Sequence, residues 1–176
     1  EIMPSLVGSE MCIRDSAKCF SNRGERFLMG LFRKKQKDNP TALEMKSLAE
    51  KAVEHGKRFN YDFDYKRESI EELEEVLDKY ESATKKICAT DEEIWELSLI
   101  FGAYLGEVLL RTGLKHAGFV WVDENGIPIL KKNEQTKVSP ISKVFKRLKN
   151  GKEDNIKPFF DIGICIAQQE SKFKIK

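Results

Sequence analysis

Residues 90–113 read TDEEIWELSLIFGAYLGEVLLRTG, and the periodicity of this stretch decides the fold. Ile94, Leu97, Phe101, Leu105, Val108 and Leu109 recur at the three- and four-residue spacing of one helical face. Thr90 followed by Glu93 is a capping-box pattern, and Gly113 is the expected end of the helix. Ile94 to Leu110 is the most apolar segment of the chain, but it runs for only 17 residues and contains Glu96 and Glu107. That combination predicts a buried core helix rather than a membrane span.

On the C-terminal side, residues 118–132 (GFVWVDENGIPILKK) switch to a two-residue period. Asn125-Gly126 suits a type I′ turn between strands near 118–124 and 127–132, and Pro128 predicts that its strand lies at a sheet edge. A lone hairpin is marginal in water, so a further strand is expected from Gln135 to Ser139. Pro140 opens a helix over Ile141 to Leu148 that Asn150-Gly151 ends. Lys152 to Asp161 suggests a last helix with Pro158 as a point of strain, and IGICI at 162–166 fits either strand or helix.

Toward the N-terminus, Ser69 and Glu72 repeat the capping-box spacing before a helix whose inner face is Ile70, Leu73, Val76, Leu77 and Tyr80. Ahead of it, RFNYDFDYKRES (58–69) alternates Phe59, Tyr61, Phe63 and Tyr65 with polar residues, like a short strand or an extended aromatic connector. Asn39 and Pro40 supply a cap and first turn for a helix bearing Met45, Leu48, Ala49, Ala52 and Val53, which Gly56 is expected to close. The fold class is therefore α+β, with about five helices packed around a small antiparallel hairpin or sheet.

The first 28 residues have no such pattern. SLVGSEMCIRDS at 5–16 fits neither period, and Leu6 to Ser16 matches the reading frame of a sequencing-library transposase adapter. Residues 1–16 thus resemble a translated adapter. Residues 17–28 then read as upstream DNA kept in frame, with Arg23-Gly24-Glu25 encodable by a purine-rich ribosome-binding sequence ahead of Met29. The expected domain is Met29 to Lys176, beginning with a basic, flexible segment to Asp38.

That domain is large enough for one core, which buries roughly 68 to 70% of the surface of the unfolded chain. Setting the leader aside removes four basic and four acidic residues from 31 and 29, so the balance stays at +2 and disfavours a dedicated polyanion binder. Cys12 and Cys19 fall in the leader. Cys88 and Cys165 remain, which is neither a disulfide framework nor a zinc pattern. Leu31 and Phe32 run directly into Arg33, Lys34 and Lys35, so no secretory segment follows Met29 and a cytoplasmic location is expected.

Four features of the sequence bear on function. Ser98, Gly102 and Gly106 form a small-residue stripe, and each glycine costs about 1 kcal/mol against alanine within a helix. Close approach of the hairpin or the 141–148 helix is the preferred explanation. Glu107 stands four residues before Arg111, so an ion pair along one helix face is preferred to a pocket carboxylate acting as general acid or base. His55 suits a helix C-terminus, while His116 stands apart from any ligand partner; no metal or cofactor is expected. Lys143, Lys146, Arg147 and Asn150 share one face of the 141–150 helix, read as a solvated basic face with nucleic-acid contact as the rival.

ESIEELEEVLDKY, IWELSLIFGAYLGEVLLR and PISKVFKRLKNGKEDNI together resemble a group of small bacterial proteins with a YLGE helix, a Trp-containing hairpin and a K-V-x-K-R-L-x-N-G motif. The resemblance covers about Tyr61 to Phe160 and brings no activity with it. Some such proteins resemble immunity partners of toxins. The expected role is a non-catalytic protein-interaction module, with Trp121, Lys143, Lys146 and Arg147 as candidate binding residues. The alternatives are a hydrolase-like enzyme using Glu107 and nucleic-acid binding through residues 141–150.

Overall fold

In a computed structural model that describes residues 39–173, the apolar stretch at 94–110 becomes the centre of the molecule. The expected leader, the basic start at 29–38, Cys12, Cys19 and Lys176 lie outside the described residues. Among those described, five helices and a three-stranded antiparallel sheet share one core. The helices are α1 (Pro40–Arg58), α2 (Ser69–Ile87), α3 (Asp91–Leu109), α4 (Pro140–Asn150) and α5 (Ile156–Phe173). The strands β1 (Val120–Glu124), β2 (Ile127–Lys131) and β3 (Lys137–Val138) follow one another across the sheet in chain order. This is the expected α+β class.

Helix α3 lies between α1 and α4, and every residue from Phe101 to Leu110 is buried. Its length and composition would let Asp91–Ala117 cross a membrane, but 67% of its most apolar window is buried against the rest of the fold. The Thr90–Glu93 capping box forms as expected, with side chain and backbone exchanging both hydrogen bonds. The helix does not stop at Gly113. It widens into a π-helical segment over Leu110–Leu114 and takes a last turn at Lys115–Ala117. Gly118, at φ 98°, then supplies the left-handed stop, a conformation glycine adopts without penalty.

Two other helix ends differ from expectation. Gly56 lies inside α1, which continues to Arg58; the glycine is needed because a Cβ there would stand 3.0 Å from the Phe63 ring. Ser69 does not cap α2 with Glu72. Its hydroxyl donates to the Lys66 carbonyl at 2.6 Å and accepts from the Tyr104 hydroxyl at 2.8 Å, so it is occupied elsewhere. Glu72 Oε2 is left buried without a hydrogen bond, and burial, together with Asp62 and Asp64 nearby, pushes its carboxyl up.

The aromatic stretch 59–65 forms no strand. Asn60 and Tyr65 take left-handed conformations, breaking the extension that alternation implied, and Phe63 turns inward to stack on Tyr104 at 4.6 Å between ring centroids. Proline 158 is not strained, because α5 begins at Ile156 and a first-turn residue has no helical partner for an N–H in any case. The IGICI segment is helical.

In the sheet, Asn125 (φ 57°) and Gly126 (φ 80°) form the expected hairpin turn. Pro128, however, lies in the central strand, not an edge strand. A two-residue turn makes Glu124 and Ile127 a hydrogen-bonded pair, so the next pair, Asp123 and Pro128, is not one. Proline's missing N–H therefore points toward β3, which reaches only Leu130 and Lys131. The strand is central by order but open at that residue.

Candidate functional site

The small-residue stripe and the glutamate beside it turn out to be one device. A Cβ on Gly106 would stand 2.2 Å from Trp121 Cζ2, so the absence of a side chain is what admits the indole. A Cβ on Gly102 would meet Ile141 Cα at 2.6 Å, which places the backbone of α4 directly against α3. Close approach of both hairpin and following helix, the preferred explanation, is what the geometry shows. Trp121 is 1% exposed, and its Nε1–H donates to Glu107 Oε1 at 3.0 Å. Glycine and glutamate at successive positions thus give the ring its space and its N–H an acceptor.

Glu107 is not on an exposed face. It is 5% exposed, and Oε2 lies 4.0 Å from Arg111 Nε, an ion-pair distance but too long for a hydrogen bond. The π-helical turn begins at Leu110, one residue before Arg111. The Arg111 guanidinium instead lies 3.6 Å from the centroid of the Tyr65 ring. Tyr65 has φ 62°, an uncommon conformation for a bulky residue, held there by its own N–H donating to Tyr104 Oη at 3.0 Å. Burial pushes the Tyr104 hydroxyl up to about 12, against the lowering effect of its contacts with Ser69 and Tyr65, so it stays protonated and donates onward to Ser69.

Glu107, Arg111 and Trp121 border a cleft of about 540 Å³ between the start of α1, the π-helical segment and β1. Asn39 closes one side of it. Its Oδ1 caps α1 by accepting from Ala42 N at 2.7 Å, and its Nδ2 donates to the Trp121 carbonyl at 2.7 Å, joining helix to strand. Lys46, Arg111 and Lys115 also border the cleft, whose inner wall carries Glu107. Sequence reasoning singled out Glu107 and Trp121 but separately, and it missed Asn39, Tyr65 and Lys115. Asn39 was read only as a cap, and Lys115 lay beyond the expected end of the helix.

The basic residues of 141–150 are not one solvated face. Arg147 is fully buried and donates to Glu74 at 2.5 Å, Glu81 at 2.8 Å and Asp78 at 3.0 Å, all on α2. Desolvation pulls its guanidinium down, but the bonds to Glu74 and Glu81 outweigh that and hold it above its ordinary value. Glu74 also accepts from Ile156 N at 3.0 Å, so three helices meet at one ion cluster. Lys143 pairs with Asp154 at 2.9 Å and Lys149 with Asp91 at 2.7 Å, while Lys146 is exposed. The motif owes its Arg to α2 and its glycine to a backbone at φ 94°, ψ −151°, a conformation essentially reserved for glycine.

His55 Nδ1 meets the Tyr80 hydroxyl, and its ring packs edge-on against Phe101 at 5.7 Å. Burial and the neighbouring Arg58 push this imidazole down. His116 is exposed, near the end of the π-helical segment. Cys88 and Cys165 are exposed free thiols. Among the described residues no three His, Cys, Asp or Glu stand together in a way that would hold a metal ion. Compared with family models, curated proteins and solved structures, the chain matches none.

Proposed function

We propose that the chain is a non-catalytic protein-interaction module of a small cytoplasmic bacterial protein, and that its partner docks on the outer face of the sheet. One observation carries this reading. The inner face is occupied by Trp121, Leu130 and Val138, all buried against the helices. The pairing register then puts Val120, Val122, Ile127 and Ile129 together on the opposite face, where an antiparallel sheet ordinarily carries polar residues. Val120 is 41% and Ile127 37% exposed, while Val122 is half-buried and Ile129 buried at 4%. Beside them Glu124 pairs with Lys137 at 2.5 Å and with Lys131 at 3.5 Å, giving an apolar centre with a charged margin, the usual anatomy of a protein interface.

Glu107 and Arg147, the strongest chemical candidates, already serve Trp121 and the α2 carboxylates. An immunity-type pairing with a toxin is one form such a module takes. The test is co-purification of the tagged full chain from the cells that encode it, beside a Val120→Glu, Ile127→Glu variant with an unchanged melting midpoint. A stoichiometric partner held by the parent and lost by the variant is the expected result. Equal retention would move the interface off the sheet. A turnover that disappears in Glu107→Gln would replace the interaction reading with the enzymatic one.

A further inference from the structure

The cleft beside the sheet holds a carboxylate that receives one hydrogen bond, from Trp121, and one ion pair, from Arg111, among the described residues. An ionised glutamate has roughly four acceptor positions, and burying one without matching donors is costly. Glu107 is 95% buried by its 5% exposure, yet among the described residues its bonds are one indole N–H at 3.0 Å and a cation 4.0 Å away. Arg111 is stacked on Tyr65, which keeps a left-handed backbone through its bond to Tyr104, while the Arg111 Nε stands 4.0 Å from Glu107 Oε2. π-Helical turns of the kind that carry Arg111 occur frequently at functional sites. Lys115, one turn on, adds a second exposed cation at the mouth.

The geometry points to a binding site for a small amino-carboxylate zwitterion: we propose that Glu107 Oε2 receives the ligand's ammonium while Arg111 and Lys115 receive its carboxylate. An isolated anion would meet the Glu107 charge at the cleft wall. An isolated cation would have to pass Arg111 and Lys115. A molecule bearing both charges answers the two in the order the cleft presents them, and a volume of about 540 Å³ lies within the range of small-molecule sites. The site is distinct from the proposed protein-docking face, sharing only Val120 with it.

Trp121 supplies the reporter, because its indole N–H is bonded to the carboxylate concerned, whereas the other tryptophan, Trp95, packs on Phe145 of α4. The experiment is a ¹H–¹⁵N titration of the full chain with glycine, 4-aminobutyrate and 6-aminohexanoate, and separately with acetate and with methylammonium. The expected result is a saturable shift of the Trp121 indole resonance, without one at Trp95, by at least one zwitterion at a half-saturation near or below about 1 mM. Glu107→Gln, which keeps an acceptor for the indole, and Arg111→Gln are each expected to weaken that binding at least about tenfold. Should either variant fold poorly, Lys115→Gln on the exposed rim is expected to weaken it measurably. No Trp121 shift with any zwitterion overturns the proposal. So does an equal response to acetate or to methylammonium alone, which would make the cleft a plain anion or cation site.

Discussion

Gly106 shows how much a single missing side chain does here. Replacing it with leucine improves helix propensity by about 1 kcal/mol, yet the new Cβ would overlap the Trp121 ring from 2.2 Å away. Overpacking of a filled core typically costs about 1 to 3 kcal/mol, so the clash wins and Gly106→Leu is expected to lower the urea midpoint clearly. Gly106→Ala should already do so; a neutral alanine would mean the indole has another place to go. At Glu107 the sequence pointed to Arg111, four residues along, and that ion pair is present at 4.0 Å, but the hydrogen bond comes from across the fold, from Trp121. Glu107→Ala strands a buried indole N–H and is expected to cost about 1 to 3 kcal/mol, more than Glu107→Gln, which retains an acceptor. Thermal melts of the two variants side by side check that order. A residue's helical neighbours can be read from spacing, but a hydrogen bond to another element is invisible until the chain is folded.

Among the elements, the helices and hairpin were legible because their signals are local: capping pairs, apolar spacing and the Asn125-Gly126 turn all act within a few residues. What failed was local signal overruled by packing. The spacing makes Gly56 a stop, but packing makes it a contact with Phe63; it makes Ser69 a cap, but Ser69 is bonded to Tyr104. Arg147 is the clearest case, since helical periodicity assigns it to the polar face of α4, which is correct, and that face is the one turned toward α2. Removing one partner from a buried ion cluster generally costs about 3 to 5 kcal/mol, because the remaining charges are left unpaired. Arg147→Met is therefore expected to be among the most destabilising single changes. Arg147→Lys should recover only part of the loss, since an ammonium cannot reproduce the planar fork that meets three carboxylates at once. Urea unfolding of both variants measures the difference, and full rescue by lysine would show that charge alone holds α4 to α2.

For the molecule as a whole, the ion cluster and the half-buried His55 combine into a pH profile. His55 is pushed down by burial and Arg58, so the folded state prefers the neutral ring. Its contribution is present above the unfolded value near 6.5 and is lost as pH falls through the lower folded value. The carboxylates act later. At Asp78 burial pushes up, but hydrogen bonds from Arg147 and Lys152 outweigh it and hold the group down; Glu81 is held down first by Lys85 and then by Arg147. Their contribution is present above their unfolded values of 3.8 and 4.5 and disappears as acidification protonates the folded groups. Glu72 has the opposite sign, because its raised folded value means that protonation favours the native state, and it softens the loss where it titrates. Stability is thus expected to be level above about pH 7, to decline modestly below about 6.5 and to fall more steeply below about 4.5. His55→Gln should remove the first decline and leave the second, whereas Arg147→Met should lessen the second, since Lys85 and Lys152 still hold Glu81 and Asp78 down, and leave the first. Melting midpoints from pH 3 to pH 8 for the three proteins would separate the steps, and a first decline that persists in His55→Gln would assign it to a different group.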